Sequence, residues 1–363
     1  MKKPIASIIG RTAAVTGAIL LFLLLAAYGV MWILVNGPSP TARRLFVLSV
    51  KETSAGGFLA DLYLSEEEIA EILGTSGEER AEEDIDTSLI QLPAVGETEP
   101  ADTGSPSYPP ESPLTPEDTS AAETTAPTPE TPDPSDGIEI VDIHGSTYNG
   151  KMLIISDPKR VFVGVPDRYG EDASGLSVAA MIEKYGAVAG TNAGGFVDPN
   201  GRGTGGIPDG IVIYEGELLW GERSSSYSLA GLDKNGILHV GMMTAQRALD
   251  LGIQYAASYG PALVINGRAC NETRSLGGGL NPRTVIGQRA DGAILLLVVN
   301  GRSLESLGAT FDDLVEVMMT HGAVNATNLD GGSSSLMIMN GENLTNSAYI
   351  FGERVVATAI LVK

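Results

Sequence analysis

From Thr12 to Ala42 the chain carries no charged residue, and the strongly apolar part of that run, Ala13–Val35, continues for 23 residues. As an α-helix it measures about 34 Å, enough to cross a hydrocarbon core of about 30 Å. Lys2, Lys3 and Arg11 precede the run, and Tyr28 and Trp32 lie toward its far end, where amphipathic rings favour a membrane interface. Arg43 and Arg44 follow at a greater distance. The closer basic group and the chain terminus favour an N-terminus that stays inside. The expectation is a single-pass anchor that meets the lipid bilayer through residues 13–35 and holds the C-terminal domain on the extracytoplasmic side of the cell membrane. A cleaved signal is the competing reading, although such signals have shorter apolar regions.

Charge divides the rest of the chain. Residues 1–44 carry a net charge of +5, residues 45–136 carry −20, and residues 137–363 carry −7. Nucleic acid is excluded as a partner, because its binding rests on basic phosphate contacts that this acidic chain does not offer. Within residues 45–92 only Ser65–Leu73 reads as a helix, with Ser65 as cap, Glu68 at the third helical position, and Ile69, Ile72 and Leu73 on one face. Residues 93–136 hold 11 of the chain's 20 prolines among Thr, Ser and Glu. That composition cannot bury enough apolar surface to offset ordering entropy, so it reads as a disordered linker. Cys270 is the only cysteine. It can form no internal disulfide and reads as a small buried residue.

From Gly137 onward, short apolar runs alternate with glycines. Strands are expected at Ile138–Ile143, Lys151–Ser156, Val161–Val165, Ala187–Thr191, Gly210–Tyr214, Thr284–Gln288, Ala293–Val299, Val324–Asn328 and Val355–Leu361, among others, with tight turns at Glu215–Gly216, Asp233–Gly236 and Ala290–Gly292. Helices are expected at Ser174–Tyr185 and Thr310–His321, each stopped by glycine, with a third at Met242–Gln254. The fold class is α/β (α+β): a mixed, strand-rich, glycine-rich domain over 137–363 with two or three packed helices, behind an N-terminal transmembrane helix.

Two of these units share a text. Gly186-Ala187-Val188-Ala189-Gly190-Thr191-Asn192-Ala193-Gly194-Gly195 is echoed 136 residues later by Gly322-Ala323-Val324-Asn325-Ala326-Thr327-Asn328-Leu329-Asp330-Gly331-Gly332. Each unit is a helix, a glycine stop, a short strand, Thr-Asn, then a glycine turn. Brought together, they line one cleft with Asn192, Asn328 and Asp330, while the glycines let backbone approach a ligand. Asp330 ranks first as acid, base, nucleophile or metal ligand, since a strand positions it and a glycine turn leaves it reachable. Arg283, stiffened by Pro282, offers a fork for phosphate or carboxylate. Gly194–Gly206, with six glycines, reads as a mobile wall. Asp198, Asp209 and Glu215 compete for the place of a second carboxylate. No nucleotide-binding loop spacing occurs, which argues against a nucleotide cofactor. No HExxH or Gly-x-Ser-x-Gly pattern occurs either. Asp330, Asn328 and Asp198 leave room for a divalent cation held by oxygen ligands.

In order along the chain come Thr191-Asn192-Ala193-Gly194-Gly195-Phe196, Asn281-Pro282-Arg283-Thr284-Val285-Ile286-Gly287, Asp291-Gly292, Asn300-Gly301-Arg302, Gly308-Ala309-Thr310 and Asn328-Leu329-Asp330-Gly331-Gly332-Ser333-Ser334. This combination resembles the phosphodiester glycosidase family over most of Ile140–Lys363. The resemblance implies hydrolysis of a sugar-1-phosphodiester, cleaved on the sugar side, in cell-envelope or extracellular glycans. It implies Asp330 and Arg283 as catalytic residues, and a substrate pocket drawn from Asn192, Asn328, Gly194, Gly195, Gly331, Gly332, Ser333 and Thr284. Ser333 stands where the family usually has a third glycine, and Ala193 where it usually has a second one. Both add side chains beside the pocket and bear on sugar specificity. The alternatives are a non-catalytic module that binds an anionic cell-surface polysaccharide through the same groups, and an envelope-assembly factor that works by protein contacts.

Overall fold

The computed structural model describes residues 5–53, 56–74, 84–92, 136–272, 275–349 and 352–363. The expected linker at 93–136 lies almost wholly outside them.

Seven α-helices are present among the described residues: α1 (Ile5–Asn36), α2 (Pro40–Lys51), α3 (Phe58–Asp61), α4 (Glu66–Gly74), α5 (Val178–Tyr185), α6 (Ala245–Asp250) and α7 (Phe311–Thr320). This corrects the expectation of two or three. Five of the seven are substantial, and sequence patterning missed one of those, α2. It begins with Pro40 behind the cap Ser39, whose side chain accepts from the Ala42 N–H, and its apolar face is completed only by packing on other helices. The helix expected at Met242–Gln254 shrinks to α6, capped by Thr244, because both flanks are claimed by strands Leu238–Thr244 and Ile253–Ser258. The N-terminal region α1 is long and apolar enough, over Gly10–Asn36, to cross a membrane.

Local chemistry explains where the remaining helices start and stop. Ser65 and Glu68 exchange side-chain and backbone hydrogen bonds at 2.9 and 3.3 Å ahead of α4. Thr310 and Asp313 do the same at α7, which presents Leu314, Val317 and Met318 to the core. Gly186 ends α5 in the left-handed region at φ 60°.

The strands form three sheets, and every pairing in them is antiparallel. The seven-stranded sheet runs Ile138–His144, Asn149–Ile155, Ile294–Val299, Arg283–Arg289, Ala323–Leu329, Ala262–Ile265, Arg268–Ala269. Its third member, all aliphatic, is buried at every position, as a strand covered on both faces must be. A five-stranded sheet runs Glu342–Asn343, Met337–Met339, Ala189–Asn192, Ala359–Val362, Val161–Gly164. The other runs Glu217–Trp220, Val212–Tyr214, Ile253–Ser258, Ser226–Asp233, Leu238–Thr244. One continuous apolar cluster draws residues from all three sheets, among them Leu153, Val163, Val212, Leu238 and Leu297, and Cys270 is buried within it.

The echoed units therefore belong to different sheets. The strand ending in Asn192 lies in one and the strand ending before Asp330 in another, yet their ends converge.

Candidate active site

At that convergence a cleft of about 1410 Å³ opens. Ends of strands from all three sheets reach it: Asp330 after Ala323–Leu329, Gly195 after Ala189–Asn192, and Tyr259 after Ile253–Ser258. Asp330, Arg283, Gly195, Gly331, Gly332, Ser333, Asp198 and Asp209 all line it.

Asp330 is half-buried in the cleft wall, and desolvation pushes its pKa up from 3.8 to about 6. The Asp198 carboxylate pushes the same way. Ser334, the Arg354 guanidinium and the Gly331 N–H hold it back. The backbone around it is fixed on two sides. Its own N–H donates to Ala193 O at 2.8 Å, and its carbonyl accepts from Asn192 Nδ2. Gly331 and Gly332 are glycines for a reason of space. A Cβ on Gly331 would stand 2.8 Å from Pro282 O, and Gly332 has φ +60° with its N–H on that same oxygen at 2.9 Å.

Four arginines line the cleft, Arg202, Arg283, Arg302 and Arg354, of which Arg202 is exposed. Arg283 stacks on Phe311 with 4.2 Å to the ring centroid, and its Nε donates to Ala309 O at 3.0 Å. Its Nη2 donates to Gly279 O and to Glu52 Oε2, each at 2.7 Å. Arg354 lies over Phe196 at 4.8 Å, donates to Ser333 Oγ at 2.8 Å and is ion-paired with Asp198. Arg302 donates to Asn281 Oδ1 at 3.2 Å. Burial, then the repulsion of Arg283 and Arg354, lowers its pKa. Tyr259 also lines the cleft; burial and then the Asp330 charge push its phenol well above the usual value, so it stays neutral.

Other residues singled out from sequence sit elsewhere. Asn192 is fully buried beneath the floor. Its Oδ1 accepts from Thr284 Oγ1 at 2.8 Å and from the Leu336 N–H at 3.3 Å. Thr284 is equally buried and shares its hydroxyl with Ser335. Asn328 is buried too, and donates to Gly260 O at 2.8 Å. The Gly194 N–H donates to Thr358 Oγ1 at 2.8 Å. These four form a support under the cleft and are absent from its lining. Glu215 is exposed in the turn after Val212–Tyr214, at φ 51°, away from the cleft. Among the described residues no three His, Cys, Asp or Glu side chains gather as a metal site. Asp198 and Asp330 are neighbours, but Asp198 is committed to Arg354.

Sequence reasoning gave no site role to Arg202, Arg302, Arg354, Tyr259 or Glu52. Arg302 had a signal, an Asn-Gly-Arg turn, and it adopts φ 60°. Arg354 and Glu52 had none, because they come from segments remote from every motif.

Residues 185–363 match the family model for phosphodiester glycosidase. A SPbeta prophage-derived uncharacterized protein, YomE, of Bacillus subtilis (strain 168) is 42% identical over 66 residues, which cover 18% of this chain and 10% of that protein. The N-acetylglucosamine-1-phosphodiester alpha-N-acetylglucosaminidase of Mus musculus is 24% identical over 217 residues, which cover 54% of this chain and 41% of the enzyme. The chain thus spans well under half the length of either relative. A solved structure of the zebrafish N-acetylglucosamine-1-phosphodiester alpha-N-acetylglucosaminidase catalytic domain superposes with a TM-score of 0.49 at 21% identity, covering 62% of this chain and 81% of that one. By sequence, the chain resembles the phosphodiester glycosidase family.

Proposed function

We propose that this chain, resembling the phosphodiester glycosidases through its C-terminal half, is a membrane-anchored hydrolase that cleaves sugar-1-phosphodiesters on the sugar side. One observation carries the reading: four arginines and an aspartate of raised pKa share one cleft. Glu52 and Asp198 already offset Arg283 and Arg354, and the forked donors of Arg302 and its neighbours fit a phosphodiester beside them.

The residues divide the chemistry as follows. Arg302, Arg354 and Arg283 hold the phosphate oxygens and take up the negative charge that grows as the bond from the anomeric carbon to the phosphate oxygen breaks. The Asp330 carboxylate faces the positive charge that develops on the sugar and accepts the proton of the attacking water. A phosphate leaving group needs no strong acid, so a second carboxylate has a lesser task. Asp209, on the cleft lining, takes that task in this reading, since Asp198 is engaged with Arg354. Gly195, Gly331, Gly332 and Ser333 shape the sugar-facing floor. Asn192, Thr284, Asn328 and Gly194 hold that floor from below. The helix α1 spans the cell membrane with the cleft outside, so the substrates are cell-envelope or extracellular glycans.

The test is to incubate the full chain in detergent with a panel of sugar-1-phosphodiesters, with and without chelator. Release of free sugar supports the reading, and chelator sensitivity reports on a divalent cation at Asp330. Saturable binding of the panel with no product would instead identify a glycan-binding module. Neither binding nor turnover would remove both.

A further inference from the structure

The cleft is tied to α1 by a knot of short helices. Val35, in the last turn of α1, is buried with Val47 of α2, Ala60 of α3, and Leu64 and Ile69 at α4. Tyr63 packs its ring against Tyr28 of α1, centroids 5.2 Å apart, and meets Phe46 of α2 edge-on at 6.4 Å. Tyr28 lies eight residues before the end of α1, about 12 Å down its axis. A span that begins beyond Arg11 and needs about 20 residues to cross the hydrocarbon ends near Met31. The knot therefore clasps α1 at the depth where hydrocarbon gives way to headgroups.

On this knot Phe58 and Leu62 stand four residues apart on one helical face, each 60% exposed. In water that is an unfavourable display for two large apolar side chains on so short a helix. Two ion pairs lie nearby, Lys51 with Asp61 and Arg43 with Glu68, both at 2.6 Å, which lowers the cost of bringing those four charges toward an apolar layer. At the far end of α2 the same unit enters the cleft. Glu52 accepts from Arg283 at 2.7 Å, from Asn281 Nδ2 at 2.8 Å and from the Gly279 N–H at 3.0 Å. The Ser49 hydroxyl accepts from the Leu280 N–H at 2.9 Å, and Thr53 Oγ1 accepts from Arg302 at 3.1 Å.

We propose that Phe58 and Leu62 are embedded in the outer headgroup layer of the bilayer that α1 crosses, so that the arginine wall of the cleft is held at the membrane surface. The apolar face continues a surface already in lipid, since its neighbour Tyr63 packs on Tyr28. A 12-residue α2, about 18 Å long, is all that separates the end of α1 from the cleft. The linker at 93–136, whatever its reach, then does not set the distance from membrane to site. The proposal rests on α1 spanning a membrane and is independent of catalysis.

The test uses the full chain in phospholipid nanodiscs, in a Cys270→Ser background, with a nitroxide at Leu62→Cys and, separately, at Phe58→Cys. Phe22→Cys in α1 serves as the lipid reference and Glu217→Cys on an exposed strand as the aqueous one. Power saturation by oxygen and by a neutral nickel complex reads depth. Both labels, at the start of α3 and at its C-cap, are expected to favour oxygen over nickel, between the two references. Access matching that at Glu217→Cys overturns the proposal. So does protection accompanied by spin–spin broadening, which would mean that a second copy of the chain covers the face. Unchanged thermal unfolding of the labelled variants shows that the fold is kept, and two independent label sites guard against loss of either one.

Discussion

Asn192 ends a strand in one sheet, Asp330 follows the last residue of a strand in another, and two hydrogen bonds tie the two strand ends together. The Asn192 amide donates to the Asp330 carbonyl, and the Asp330 N–H returns a bond to Ala193 O at 2.8 Å. The pair joins the two echoed units where they meet and fixes the carboxylate against a rigid seam.

Replacing Asn192 with alanine should therefore loosen the seam without touching the ligand. It leaves the Thr284 hydroxyl and the Asp330 carbonyl short of a partner in a buried place, a loss of about 1–3 kcal/mol. The expected outcome is a lower unfolding midpoint in denaturant and a reduced kcat, with the pH midpoint of activity unchanged. Wild-type stability in this variant would contradict the seam.

Asp330→Asn should trade activity for stability. Turnover should fall by at least about 100-fold, since general acid–base groups supply about that much or more. The folded state raises the Asp330 pKa from 3.8 to about 6, so it holds the proton more tightly than the unfolded chain. Stability is thus lost as pH rises through that window, and the full penalty is present above about pH 6. The asparagine variant should match the wild type below about pH 3.5 and exceed it by about 1–3 kcal/mol at pH 8. Urea unfolding at both pH values measures this.

The wild-type rate should climb with pH around about 6, because the reading requires ionised Asp330. Arg354→Ala should move that limb toward higher pH. It removes a cation that favours the carboxylate and frees the Asp198 charge that opposes it. The same variant should lose about 2–4 kcal/mol of transition-state stabilisation, as removal of one preorganised donor does. A pH–rate profile for both proteins reads the two effects separately. An unmoved limb would remove Arg354 from the electrostatics of Asp330.

Gly195→Ala should act on the opposite wall. The new Cβ would stand 2.8 Å from Tyr259 Cδ2, so the ring must turn toward the cleft or out of it. Overpacking of this kind costs about 1–3 kcal/mol. KM should change more than kcat, since Tyr259 borders the ligand space without bearing the reacting charge. Steady-state kinetics on one sugar-1-phosphodiester decides it.

Much of the local structure was legible because its causes are local. The uncharged run at Thr12–Ala42 dictates a long helix by itself. The capping box of Thr310 and Asp313 sets the start of α7, and the tight turn at Glu215–Gly216 is signalled by Gly216, which accepts its φ of 78° without strain. The echo between Asn192 and Asn328 was equally visible, as was the nomination of Asp330 and Arg283, which do share one cleft. The helix count was not legible: α2 shows its apolar face only when α1, α3 and α4 supply a surface for it.

Sequence alone determined which segments could become elements and which side chains had suitable chemistry, because propensity, capping and turn geometry act over a few residues. Tertiary structure decided which of those side chains meet the ligand space. It buried Asn192, Asn328 and Thr284 under the floor, and it brought in Arg354 from near the C-terminus and Glu52 from beside the anchor. Contacts between residues 231 positions apart, as in Glu52 and Arg283, arise from the packing of whole sheets and helices, and no short pattern encodes them.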